Sequence, residues 1–265
     1  MIMGFAKYWE AGKISVNTRL NYGMDLLAHA LLKGIYIFIF INLWGVVYSQ
    51  GSNLIAGFTL NMMIWYLVMT EAVVTSPRKI VEVIGEKVQS GEITNSLTKP
   101  YNFILFEYAN SMGQAIINFT TAFIAGSIIA GIFIGGFHIQ WTTLPLVAIV
   151  IILGLTLHFL IMALLAIFSF WIEDAKALNF IYDKVVFVLG GMLAPLEIFP
   201  HWLEQITKYL PFSYIAYYPA KLWVQFSMNS FWNVIVGELV WIIVLIITLV
   251  IVYHICIRNI SINGG

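Results

Sequence analysis

The chain has 265 residues, of which 61% are hydrophobic and 10% are charged, and its formal net charge is zero. A soluble domain carries roughly 25% charged residues, so this composition excludes a water-soluble globule and indicates a polytopic membrane protein. Zero net charge argues against a nucleic-acid partner, and the single cysteine, Cys256, excludes an internal disulfide and a cysteine-based metal site.

Residues 1–25 predict an amphipathic helix ahead of the first membrane span. Its apolar residues follow helical spacing from Phe5 to Leu20, and Lys7, Lys13 and Arg19 are placed to meet anionic lipid headgroups. We therefore expect an interfacial helix along the inner membrane surface.

Six later runs are long and apolar enough for transmembrane helices, each of which needs about 20 residues. These predicted spans are residues 26–47, 55–74, 111–135, 144–170, 177–193 and 234–257. Most Lys and Arg residues outside the spans fall on one side, and cytoplasmic loops retain such residues. The pattern therefore predicts cytoplasmic N- and C-termini.

The predicted cytoplasmic stretch 77–107 contains a short amphipathic pattern. Ile80, Val83, Ile84 and Val88 share one helical face, and polar residues occupy the other. One interpretation is an ordinary solvated loop. The other is a docking helix for a cytoplasmic partner, because no other part of the chain is expected to cover the apolar stripe.

The predicted outer segment 194–232 is rich in proline, with Pro195, Pro200, Pro211 and Pro219. Residues after Pro200 alternate between apolar and polar faces at helical spacing, which is typical of a helix in the interface or a segment that dips into the membrane and returns. A long extracellular loop without function is the alternative.

Ionisable residues inside spans are candidates for function because they are costly there. Asp183, Lys184, His158, His29 and Glu238 qualify. Asp183 and Lys184 are adjacent, so they point about 100° apart on a helix and we expect each to pair with another helix or to line a transport path. A proton relay is disfavoured because it needs several acids in series.

No motif for catalysis, metal binding or nucleotide binding occurs in the sequence, including the G-x-x-x-x-G-K-[ST] phosphate loop. The chain therefore cannot hydrolyse ATP by the usual phosphate-loop route, and we expect it to hold no cofactor.

Two stretches of the sequence resemble the ABC-2 type transporter permeases, and in particular the small six-span export components of bacteria and archaea. Residues 84–102, IGEKVQSGEITNSLTKPYN, are similar to the family pattern "I..G.I...L.KP.N". Residues 169–219 contain SFW, GGMLAPLEIFPHWLEQITKYLPF and a later proline, and resemble a second family pattern. The resemblance implies an all-α fold of six spans with an interfacial helix, a cytoplasmic coupling helix and an extracellular re-entrant segment.

The resemblance also implies partners and sites. A separate nucleotide-binding ATPase subunit would bind ATP and Mg²⁺, and a second copy or a paralogous permease would complete the pathway in a bacterial or archaeal plasma membrane, with membrane lipids around it. The residues expected to dock the ATPase are Arg78, Ile80, Glu82, Val83, Glu86, Gly91, Glu92, Glu173 and Asp174. Trp65, Asp183 and Lys184 are candidates for the transport path.

Three other classes compete with an ATP-driven exporter. A secondary transporter or channel predicts broken spans and a charged relay, and an intramembrane enzyme predicts a catalytic pair at matching depth. The sequence offers neither feature clearly. An accessory membrane anchor is compatible with six helices.

Overall fold

The computed structural model describes residues 2–51, 53–136, 141–168 and 175–263 of the chain. In these residues the structure is helical, apart from connecting turns and one isolated β-bridge between Ile55 and Phe58. The predicted all-α class is confirmed for this part of the chain. The α-helices are α1 (Ile2–Asn21), α2 (Gly23–Ser49), α3 (Leu60–Val74), α4 (Ile80–Gln89), α5 (Glu92–Leu97), α6 (Phe103–Phe133), α7 (Leu144–Phe168), α8 (Ala175–Leu189), α9 (His201–Tyr209), α10 (Pro211–Ile215), α11 (Tyr217–Val224) and α12 (Met228–Asn263), and a 3₁₀ turn covers Leu196–Ile198.

Among the described residues, four helices are long and apolar enough to cross a membrane: α2, α6, α7 and the Met228–Ile255 part of α12. They make the chain a polytopic membrane protein. Helices α3 and α8 have 15 residues each, so each is about 22 Å long against a hydrocarbon core of about 30 Å. These two helices correspond to the second and fifth predicted spans.

Helices α3 and α7 form the interior of the bundle. Every residue of α3 from Met63 to Val73 is buried. In an apolar stretch of 18 residues taken from each long helix, 61% of the residues of α7 are buried, against 17–28% for α2, α6 and α12. The three outer helices expose apolar side chains, as helices that face lipid do. Because α3 is surrounded by protein, its length need not match the bilayer.

Two predicted span boundaries are wrong because glycines turn the chain there. The second span was expected from residue 55, but residues 55–58 form a turn in which Gly57 has φ +85°, and α3 begins only at Leu60. The fifth was expected to reach residue 193, but α8 ends at Leu189 and Gly191 has φ +74°. Glycine adopts positive φ without the steric cost that other residues pay.

The predicted N-terminal helix is present as α1, and it packs along α6. The Tyr8 hydroxyl accepts from the Asn102 amide at 3.0 Å, and the Ser15 hydroxyl donates to the Asn110 carbonyl at 2.8 Å. The two helices therefore run parallel. They approach so closely that a Cβ on Gly113 would lie 2.5 Å from a backbone oxygen of α1. The amphipathic pattern did not predict this contact with α6.

The two ends of the bundle differ. The α4 end carries α4, α5 and the start of α6. The other end, here called the α9–α11 end, carries the α2–α3 turn and residues 190–227. The carbonyl oxygen of Tyr214 on α10 lies 3.0 Å from where a Cβ on Gly154 would stand, about 15 Å along α7 from its start. Gln225 then donates to the Gly57 carbonyl at 2.8 Å. The segment thus enters the bundle and returns to the same end.

Candidate functional site

The amphipathic helix predicted in residues 77–107 is present as α4, and its apolar face is covered by the same chain. Ile80, Val81 and Ile84 are at most 2% exposed, and they pack in one hydrophobic cluster with residues of α7 and α8. The expectation of an uncovered apolar stripe is therefore wrong. Ile80 cannot contact a partner in this arrangement, and Val83 is half-buried.

The polar side of α4 and the turn after it remain accessible. Glu86, Gly91 and Glu92 are exposed, and Glu82 is half-buried with its carboxylate 3.3 Å from the ammonium of Lys79. Gly91 has φ +74°, a conformation that suits glycine and that turns the chain from α4 into α5. The surface available to a partner at this end is therefore acidic, and most of the apolar stripe lies beneath it.

A buried carboxylate on α6, Glu107, holds α4 in place. Glu107 is 1% exposed, and it accepts from the guanidinium of Arg78 at 3.1 Å and from the ammonium of Lys87 at 2.5 Å. Arg78 immediately precedes the connection into α4, and Lys87 lies in its last turn, so both ends of α4 are tied to one carboxylate. Arg78 was expected to contact the ATPase, and no pattern in the sequence pointed to Glu107.

A second buried ion pair joins α2 to α3. The ammonium of Lys33 lies 2.7 Å from the carboxylate of Glu71, whose side chain is 5% exposed. The two residues lie 38 positions apart in the sequence, in different helices, so helical spacing gave no sign that they meet.

The three candidate path residues do not share one site. Trp65 lies in the interior of α3, 6% exposed. Asp183 accepts from the Asn179 amide at 3.2 Å, and the ammonium of Lys184 lies 5.0 Å from the centre of the Phe180 ring. Asp183 and Lys184 are exposed on α8, so each finds its contact one turn away on its own helix. Their role in transport stays a prediction.

Glu173 and Asp174, the remaining two residues expected to dock a partner, lie outside the described residues.

At the α9–α11 end, tyrosine hydroxyls connect the returning segment to the core. The Tyr66 hydroxyl on α3 donates to the Gly191 carbonyl at 2.5 Å, and the Tyr217 hydroxyl donates to the carboxylate of Glu197 at 2.5 Å. The ammonium of Lys221 also contacts Glu197. Deeper in the bundle, the carboxylate of Glu238 is fully buried between α7, α10 and α12, 3.7 Å from the position of a Cβ on Gly154.

The described residues contain no group of His, Cys, Asp and Glu side chains that could hold a metal ion.

A protein-family model matches most of the chain. The model of the ABC-2 family transporter protein matches residues 34–264. The chain belongs to the ABC-2 transporter family. The comparison with curated proteins found no match. As an ABC-2 permease, the chain is the membrane component of an ABC transporter, a component that lacks the ATPase site, and such permeases generally work with an ABC ATPase subunit.

The family match covers most of the site described above. The match includes α4, Glu107 and the returning segment of residues 190–227, whereas α1 and the first part of α2 precede it. The resemblance based on residues 84–102 and 169–219 is confirmed at the level of the family.

Proposed function

We propose that this ABC-2 permease is the membrane half of an ATP-driven exporter that moves a substrate out of the cytoplasm or the inner leaflet. The family match supports a permease role, and the sequence has no phosphate loop of its own. ATP and Mg²⁺ are bound and used in the separate ATPase subunit, and this chain serves as a transport subunit that holds no cofactor.

The placement of α4 carries this proposal. One face of α4 packs on α7 and α8, and its flanking cations are bound to Glu107 on α6. A buried ion pair that is also tightly packed resists rearrangement, because separating it leaves a charge unpaired. A displacement of α4 is therefore passed to α6, α7 and α8 together. Such a helix suits the transfer of movement from an ATPase to the bundle.

The docking surface in this proposal is the acidic side of the α4–α5 region. Glu82, Glu86 and Glu92 meet basic groups of the ATPase, around the turn at Gly91, and Glu173 and Asp174 supplement them. Arg78 acts within the permease, through its ion pair with Glu107, and Ile80 packs α4 against α7 and α8.

The proposed topology follows the distribution of Lys and Arg. The chain has six spans, with α3 and α8 as the two short ones, and both termini and α4 lie on the cytoplasmic side of a bacterial or archaeal plasma membrane. The α9–α11 end is then the extracellular re-entrant region. Two permeases, either identical or paralogous, form the pathway within the membrane lipids.

The test is charge reversal on the acidic surface in the purified complex. Glu86→Lys together with Glu92→Lys should weaken binding of the ATPase subunit at least about tenfold, because like charges across an interface are repelled, and should lower ATP-driven export equally. Glu10→Lys is the matched control, since Glu10 is also an exposed carboxylate paired with a lysine, on α1. It should leave both measurements unchanged.

Two results would contradict the proposal. Unchanged ATPase binding in the double variant would show that the acidic side of the α4–α5 region does not bind the ATPase. Substrate transport by the permease alone in liposomes, without an ATPase, would instead identify a secondary transporter or channel.

A further inference from the structure

A basic cavity opens at the α4 end, between α1, α2, the α3–α4 connection and α6. Its volume is about 270 Å³. The basic side chains in its wall are Arg19, His29, Lys33, Arg78 and Lys79, and the other described wall residues are neutral. The wall residues come from four separate segments of the sequence, and the basic ones come from three of these, so only the fold brings them together.

Neighbouring groups hold these cations in position. The Arg19 guanidinium donates to the Asn118 side chain at 2.7 Å and also contacts Asp25. The other lysine and arginine side chains of the wall each have a carboxylate partner: Lys33 with Glu71, Arg78 with Glu107 and Lys79 with Glu82. No carboxylate is among the described residues of the wall itself. These cationic side chains are therefore held in place before any ligand arrives, and the carboxylates that pair with them lie outside the cavity wall.

A mostly apolar groove continues from this cavity, and its wall also includes Asp25, the carboxylate partner of Arg19. The groove runs between α2 and α6, has a volume of about 1010 Å³, and shares Ala30 and Thr121 with the wall of the cavity. Leu27, Ile124 and Ile128 in the groove are more than half exposed. Since α2 and α6 are two of the candidate spans, the groove faces the lipid acyl region.

We infer that the cavity and the groove together bind a phospholipid with an anionic headgroup. The lipid phosphate occupies the basic cavity, where charge-assisted hydrogen bonds from guanidinium and ammonium groups stabilise it, and an acyl chain follows the α2–α6 groove. A free phosphate ion would fill only the cavity. The adjoining apolar groove favours a lipid because it gains burial of the acyl chain there.

The first arm of the test measures binding of phosphatidylglycerol to the purified full-length chain by native mass spectrometry. Lys79→Gln should weaken binding about fivefold, the effect of losing one cation near a lipid headgroup. Lys208→Gln is the matched control, because Lys208 lies on α9, at the opposite end of the bundle, and pairs with a carboxylate four residues away. Binding to this control should equal that of the wild type.

The second arm separates a lipid from a free anion. Ile128→Trp should fill the groove and weaken phosphatidylglycerol binding. Ile132→Trp, one turn further along α6 and also more than half exposed, should not. Inorganic phosphate at millimolar concentration should fail to displace the lipid from the wild type.

Three outcomes would overturn the inference: equal lipid binding by Lys79→Gln and Lys208→Gln, normal binding by Ile128→Trp, or displacement by inorganic phosphate alone. The melting temperature of each variant is measured alongside, so that loss of folding is not mistaken for loss of binding. Because the chain is tested without an ATPase, failure here leaves the exporter proposal standing.

Discussion

The two ends of the molecule secure their connecting segments by different interactions. At the α4 end, the carboxylates of Glu71 and Glu107, at most 5% exposed, pair with lysine and arginine side chains from other elements. At the α9–α11 end, tyrosine hydroxyls donate to the Gly191 carbonyl and to Glu197, and aromatic rings pack around them, such as Tyr66 against Tyr217 with ring centres 6.4 Å apart.

The difference has an energetic meaning. Removing one partner of a buried ion pair costs about 3–5 kcal/mol because the other charge is left unpaired, whereas an ordinary hydrogen bond contributes about 1 kcal/mol. The α4 end is therefore built to move as one unit with the helices behind it. Neutral contacts at the α9–α11 end, such as the hydrogen bond of Tyr66 to the Gly191 carbonyl, break at a lower cost than the buried ion pairs of the α4 end. The ion pair of Lys221 with Glu197 is the exception at this end.

The largest expected effect follows from removing Glu107. Glu107→Ala leaves Arg78 and Lys87 without their common carboxylate, and it should lower the free energy of unfolding by about 3 kcal/mol, the lower end of the range for buried pairs, because both cations retain partial access to water. Denaturant unfolding in detergent micelles measures this change.

The control for Glu107→Ala is Glu10→Ala, which removes an exposed pair with Lys13 and should cost less than about 1 kcal/mol. Equal losses for the two variants would mean that Glu107 does not secure α4.

A smaller effect is expected at the other end. Tyr66→Phe removes the hydroxyl that donates to the buried Gly191 carbonyl and should lower the free energy of unfolding by about 1–2 kcal/mol, because the carbonyl loses its partner. The same denaturant titration applies, with Tyr209→Phe as control, since the Tyr209 side chain is 77% exposed. A loss of stability as large as that of Glu107→Ala would contradict the conclusion that contacts at the α9–α11 end contribute less than those at the α4 end.

The smallest effect is expected from Glu204→Gln on α9. The hydrogen bond from the Lys208 ammonium lowers the pKa of the half-buried Glu204 carboxyl. Its contribution is therefore present at pH values above the ordinary glutamate pKa and disappears as the pH falls through the lowered value. Thermal melts at neutral pH should show at most a small loss of stability in the variant, and melts of the variant and the wild type at acidic pH should coincide. A clear shift at neutral pH would show that surface charge also stabilises this end.

Some features of the fold could be predicted from local patterns. The amphipathic helices α1 and α4 and the long apolar helices α2, α6, α7 and α12 were expected from periodicity and hydropathy, because both depend on residues close together in the chain. The cover of α4 was missed. It is provided by α7 and α8, more than 50 residues later in the sequence, and periodicity shows which residues share a face without showing what packs on that face.

The candidate site, like the fold, was predicted only in part from the sequence. The acidic residues Glu86 and Glu92 are accessible, as a docking surface requires. The role expected for Arg78 changed, because its guanidinium is bound to Glu107, 29 positions away. Trp65 was a candidate for the path on residue type alone, and its position inside α3 depends on helices that surround it from both halves of the chain.

The sequence by itself determined that this protein is a helical membrane protein of the ABC-2 family without a phosphate-loop motif, because composition, apolar run length and short motifs are properties of contiguous residues. The tertiary structure decided which helices are enclosed and which polar groups meet. The Tyr66 hydroxyl and the Gly191 carbonyl are separated by 125 positions, and the basic cavity draws on four segments. Such contacts depend on how whole helices pack, which the order of residues along any one helix does not specify.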